Sequence, residues 1–160
     1  MKSSNVRSGI ILAGMIGLVV SIFSAAEFYE ASLRSVCSIN SFFSCAVVDA
    51  SGKTSTLGIP DYLWGVGGFV VILAVAGLVE RRPKDPLPTY LLLFITTAGI
   101  AVSMYFLYVE LAQIHAFCVV CATAYAFGFI AWVGAISLAL RMRARSAKQA
   151  ADGPVSGAGS

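Results

Sequence analysis

Charge is what this chain has least of. Asp, Glu, Lys and Arg together make up 12% of its 160 residues, against 58% hydrophobic. A soluble domain of this length cannot hide so much apolar surface, so the mean hydropathy of +0.85 requires lipid to solvate part of it. The length allows one compact unit. A net charge of +3, unevenly placed, speaks of membrane orientation and not of nucleic acid. Cysteine is also sparse, but its four copies fall in two pairs. In a reducing compartment such pairs suggest metal or catalysis, and in an oxidising one disulfides.

The few polar stretches divide the rest. Residues 1–9 are short and polar and precede an apolar run from Ile10 to Ala26, about 25 Å of helix, which Phe28 and Tyr29 extend to a full span. Ser24 and Ala26 also fit a small-x-small cleavage site, the competing reading of this segment as a signal peptide. Residues 30–61 form the longest polar connection and carry Cys37, Cys45 and Ser51. Further spans are expected at 62–79, 90–109 and 118–140, with Pro60 suited to start the second. Gly65, Gly67 and Gly68 read most simply as close-packing positions between helices. The basic, proline-broken turn around Arg82 and Pro83 cannot lie in the bilayer. Residues 141–160 read as a basic and then disordered cytoplasmic tail. The expected fold is an all-α membrane protein, a four-helix bundle with a long outer loop between its first two spans.

Nine of the eleven basic residues fall on one side of these spans; only Arg34 and Lys53 fall on the other. The positive-inside rule then puts both termini in the cytoplasm and all four cysteines at the outer face.

Cys118 and Cys121 lie three apart, one helical turn, where a polar connection gives way to the fourth span. Their side chains share a helix face, and the first is near a helix N-terminus, where unpaired N–H groups favour a thiolate. Three readings are open for the four thiols: structural disulfides on a non-enzymatic scaffold or interaction protein, a zinc site, or a relay. The eight-residue step from Cys37 to Cys45 is longer than the usual gap of paired structural zinc ligands. In a relay, a partner protein reaches the loop pair, and a lipid-soluble oxidant, a quinone, reaches the pair at the bilayer edge. A loop that brings Cys45 to Cys118 would join them by thiol–disulfide exchange.

The order Cys37-x7-Cys45 followed by Cys118-Val119-Val120-Cys121 opening the fourth span resembles the vitamin K epoxide reductase family over about residues 10 to 142. Ser51, Gly58-Ile59-Pro60 before a glycine-rich helix, and Tyr125 four after Cys121 match its prokaryotic members. The resemblance implies a thiol:quinone oxidoreductase in a bacterial or archaeal plasma membrane, supporting disulfide formation in exported proteins. Cys37 would meet the redox partner, Cys45 would pass electrons inward, Cys118 would receive them and Cys121 would react with the quinone. The quinone is a menaquinone, a ubiquinone or vitamin K-like; Tyr125, Ser51 and Asp61 are the residues expected near it, and no metal is implied. Many prokaryotic relatives carry a fused thioredoxin-like domain; here the partner is expected as a separate protein. Asp61 stands where vertebrate enzymes have an Asn, and Ala124 replaces a common threonine. Both favour plain quinone reduction over epoxide reduction.

Among the remaining residues, His115 lies three before Cys118 and is either a proton-handling group or an interfacial residue. Trp64, Tyr29, Tyr62 and Tyr108 read as interface anchors. Phe42, Phe43 and Leu57 read as a membrane-dipping cap over the quinone or as a loop core. Glu27 and Glu110, near helix ends, read as solvated charges.

Overall fold

A computed structural model of the chain describes residues 3–30, 40, 42–51, 55–56 and 58–152. Four long helices dominate: α1 (Ser3–Tyr29), α3 (Asp61–Arg81), α4 (Pro86–Tyr108), prolonged by a π-helical turn at Val109–Ile114, and α5 (Val119–Asp152). A short helix, α2 (Cys45–Ala50), lies in the loop, followed by strands β1 (Ser55–Thr56) and β2 (Ile59–Pro60). Each long helix contains a stretch long and apolar enough to cross a membrane, so the chain is an integral membrane protein with the expected four-helix architecture.

Around the bundle the helices neighbour one another in the order α1, α3, α4, α5 and back to α1. Ile10, Phe69, Ile72, Leu92, Ala135 and Leu138 meet in its centre. Leu12, Val19, Phe94, Ile130 and Leu140 are exposed on the outside. The helices are thus apolar on both faces, which suits a solvent that is itself hydrocarbon.

Small residues set how closely the helices approach. A Cβ on Gly17 would fall inside the buried ring of Phe69, and one on Gly65 would meet Ser21 Oγ at 2.8 Å. At both places a side chain of one helix fills the space that a Cβ on the other would need. Gly17→Ala is expected to cost about 1–3 kcal/mol by overpacking, whereas Gly9→Ala on the same helix, with nothing within 4 Å of the new Cβ, should cost nothing. Paired thermal melts in detergent check this, and equal melting temperatures for the two variants would refute it.

The ends are tied by polar contacts. Arg7 Nε on α1 lies 3.3 Å from Glu80 Oε2 on α3. Asp85 caps α4 by accepting the Leu87 N–H at 3.4 Å, ahead of a proline at the first helical position, where no N–H is needed. Trp132 Nε1 donates to Thr97 Oγ1 at 3.0 Å, linking α5 to α4. The α5 helix continues past Leu140, the expected end of the fourth span, through the basic segment to Asp152; Ala, Arg, Lys and Gln are good helix formers, and Arg143 lies 5.9 Å over the Tyr90 ring.

Between α1 and α3 the loop turns back over one end of the bundle. Gly58, at φ +78°, makes the left-handed turn between β1 and β2, a conformation that favours glycine. The pairing of Ser55 with Pro60 and Thr56 with Ile59 delivers the chain to Asp61, the first residue of α3.

Candidate functional site

Cys118 is the residue immediately before α5. Its carbonyl accepts the Ala122 N–H at 2.9 Å, the first helical bond, and its sulfur accepts the Cys121 N–H at 3.2 Å. A cysteine therefore stands where Ser or Asp usually caps, and the sulfur takes one of the helix's free N–H groups. That is the helix N-terminal placement expected from the Cys-x-x-Cys spacing.

A second cysteine meets it from the loop. Ser44 caps α2 by accepting the Val47 N–H at 3.4 Å, and Cys45, the first residue of α2, is turned inward and buried. Cys45 Sγ lies 3.0 Å from Cys118 Sγ, across 73 residues of sequence. Cys45 is disulfide-bonded, while Cys118 and Cys121 are free, buried thiols. Cys37 lies outside the described residues.

Phe42 and Phe43 hold this meeting point. Their N–H groups both donate to Asn40 Oδ1, at 2.9 and 2.8 Å, which curls the chain just before α2. Phe117 N–H donates to Phe42 O at 2.7 Å, Phe43 bridges Phe117, and their rings meet edge to face at 5.9 Å. Both side chains are exposed, so they are no loop core, and neither lines the cavity described next; their contacts clamp the loop to Phe117. Leu57 lies outside the described residues.

Cys121, packed in one cluster with Cys45 and Cys118, lines a cavity of about 510 Å³ between the helices, a size suited to one small ligand. Asp61, Trp64, Cys121 and Tyr125 line it together with apolar side chains such as Ile95 and Phe106. Asp61 Oδ1 accepts the Tyr62 N–H at 2.7 Å, and its other oxygen lies 3.9 Å from Cys121 Sγ. Gly67 and Gly68 line the cavity as well and are exposed, with nothing within 4 Å of an added Cβ. They make a window on the lipid-facing side of α3 and are not the packing positions expected; only Gly65 of the three packs closely.

The structure brings Cys45, Cys118, Cys121, Asp61 and Tyr125 together. Ser51 sits at the end of α2, its hydroxyl donating to Val48 O at 2.7 Å, and does not line the cavity. Tyr62 is buried and its hydroxyl lies 3.2 Å from that of Tyr29, so the two together tie α3 to α1; Tyr29 and Tyr108 are exposed. Glu27 and Glu110 correct the reading as solvated charges: they are 1% and 0% exposed. Glu110 accepts the Cys118 N–H at 3.2 Å and the Tyr125 hydroxyl at 3.0 Å. The signal that could have found it is an acid inside an apolar segment, by default a functional residue.

Two cysteine-bearing elements, one from a loop and one opening the last span beside a membrane-level cavity, agree with a single family model, that described as the vitamin K epoxide reductase family, which matches residues 9–136. The chain belongs to that family. No individual curated protein matches it. Membership in the vitamin K epoxide reductase family, with four helices able to cross a membrane, makes the chain a membrane oxidoreductase of the thiol–quinone kind at the family level.

Proposed function

We propose that this chain takes electrons from a separate thioredoxin-like dithiol on the outer side of a bacterial or archaeal membrane and delivers them to a quinone. The single observation that carries the reading is the position of Cys118: its sulfur touches Cys45 at 3.0 Å and its helix partner Cys121 lines the cavity. A sulfur in that place can exchange with the loop on one side and serve the cavity on the other.

In this reading the partner's dithiol reduces a Cys37–Cys45 disulfide and leaves as a disulfide. The Cys45 thiolate then attacks Cys118 of a Cys118–Cys121 disulfide, forming the Cys45–Cys118 bond and releasing Cys121. Cys37 attacks Cys45, restoring the outer disulfide and freeing Cys118. In the structure Cys45 is disulfide-bonded and Cys118 and Cys121 are free thiols, an arrangement consistent with this order of exchange. The quinone, when bound, is the two-electron acceptor. Cys121 would sit against its ring, Asp61 and Tyr125 would hold its polar edge, and the apolar walls would exclude water. Ser51 contributes by closing the helix that presents Cys45.

Topology is part of the proposal: both termini cytoplasmic and the cysteines outside. The test is to mix reduced, purified protein anaerobically with short-chain menaquinone and ubiquinone analogues and follow quinone absorbance. One quinone should be consumed per inner dithiol, and addition of a reduced thioredoxin-like protein should make the reaction catalytic. Protein that leaves both quinones unchanged while its inner thiols remain reduced would sink the reading.

A further inference from the structure

The thiol chemistry uses Cys45, Cys118 and Cys121, but it leaves Glu110 unexplained. A carboxyl group with no exposed surface is costly at membrane depth, and the backbone around it is unusual in two ways. Glu110 lies in the π-helical turn, a form that appears mostly at functional sites. The turn ends at His115, which has φ 58°, the left-handed region rarely used by residues other than glycine. This distortion aims two N–H groups at the Glu110 carbonyl, those of His115 and, at 3.2 Å, Ala116. It thereby fixes the side chain between Cys118 and Tyr125. Strain of this kind persists where surrounding structure enforces it and points to a role.

That role follows from proton balance, given the thiol–quinone reading above. Closing a Cys118–Cys121 disulfide breaks two S–H bonds, makes one S–S bond, and releases two electrons and two protons. The quinone takes up all four and becomes a quinol. Asp61, 3.9 Å from Cys121 Sγ, stands ready for one proton. For the other we propose that Glu110 is a positioning residue: acting through Tyr125, it carries the proton released at Cys118 to the cavity.

Glu110 bridges the two residues that this task joins, meeting Cys118 at its backbone N–H and Tyr125 at its hydroxyl. As a carboxylate, Glu110 accepts from the Cys118 N–H with one oxygen and from the Tyr125 hydroxyl with the other. Once it holds the proton from Cys118 it becomes a donor to the Tyr125 oxygen, and the phenol turns its own proton into the cavity that Tyr125 lines. The site gains no charge when the pair has fired, because the proton crosses with the electrons and Glu110 returns to its carboxylate.

The experiment compares reduced wild type, Glu110→Gln and Glu110→Asp in anaerobic stopped-flow mixing with a short-chain menaquinone analogue. Thiol exchange between Cys45 and Cys118 is followed separately by alkylation and mass mapping. Gln keeps the shape, with its carbonyl accepting the Cys118 N–H and its NH2 donating to the Tyr125 oxygen, but cannot take the proton, so the maximal single-turnover rate should fall about 100-fold. The quinone concentration giving half that rate should stay unchanged, and thiol exchange should be retained. Asp keeps the acid and should recover at least a tenth of the wild-type rate. Should Glu110→Gln fail to fold, Glu110→Asp carries the test by its rate and by a change in solvent deuterium isotope effect. Glu110→Gln within threefold of wild type overturns the proposal. So does folded Glu110→Asp as slow as Gln, or loss of thiol exchange in parallel with quinone reduction, which marks a purely structural role. Wild type that exchanges thiols yet leaves the quinone untouched refutes the thiol–quinone reading itself and this inference with it.

Discussion

In Cys121→Ser, quinone reduction is expected to fall at least about a thousandfold, the scale on which removal of a reacting nucleophile acts, while a Cys45–Cys118 disulfide becomes a major species. The two sulfurs already stand 3.0 Å apart, closer than non-bonded sulfurs ordinarily rest, so exchange needs almost no motion. The donor that meets the Cys118 sulfur is the backbone N–H of residue 121, which serine keeps. What serine removes is the thiol that would otherwise resolve the Cys118 bond from the helix side and pass electrons onward. The number of free thiols is the same with or without the new bond, so counting them cannot test the idea. Non-reducing digestion and mass mapping can, with reductant-sensitive release of the linked peptides as the control. Retained turnover, or linked peptides that never include Cys118, would show that Cys118 is not the relay sulfur.

The same contact marks the boundary of what the sequence could reveal. Hydropathy alone places the four spans, because a segment solvated by lipid is apolar on every side and needs no partner to be recognised. The Cys-x-x-Cys spacing places Cys118 and Cys121 on one helical turn, and Tyr125 four residues on falls on the same face, all local geometry. The approach of Cys45 to Cys118 could be argued as chemistry, but the means could not be read. It depends on Phe43 bridging Phe117 and on the Asn40 turn, contacts between segments far apart in the chain. Glu110 was hidden for a different reason. An acid near a helix end is usually solvated, and it is buried here because the helix slips into a π turn and reverses at a left-handed His115, which no periodicity announces. Gly67 and Gly68 were misplaced because a glycine on an apolar helix reads alike whether a neighbour or a cavity lies beyond it.

That last distinction yields the other large effect expected. Gly68→Phe adds a ring to a position where a Cβ meets nothing within 4 Å, on the wall of the 510 Å³ cavity. The ring has room, so the overpacking expected at Gly17 should not arise, and the melting temperature should stay close to that of wild type. The space it takes is the space a quinone ring and the start of its tail would use, and it lies at the lipid-facing window through which they would enter. The KM for a menaquinone analogue should therefore rise at least about tenfold, since one misplaced group in an apolar pocket already costs 1–3 kcal/mol. Exchange between a reduced thioredoxin-like donor and the loop cysteines should continue at the wild-type rate, because Gly68 lines the cavity and Cys45 does not. Steady-state kinetics with quinone varied, beside donor oxidation with quinone absent, separates the two. A KM that does not move, in a folded Gly68→Phe protein, would place the quinone somewhere other than this cavity and leave Cys121 facing an empty space with no known occupant. A fall in both activities with a lowered melting temperature would instead return Gly68 to the packing role that Gly65 plays against Ser21.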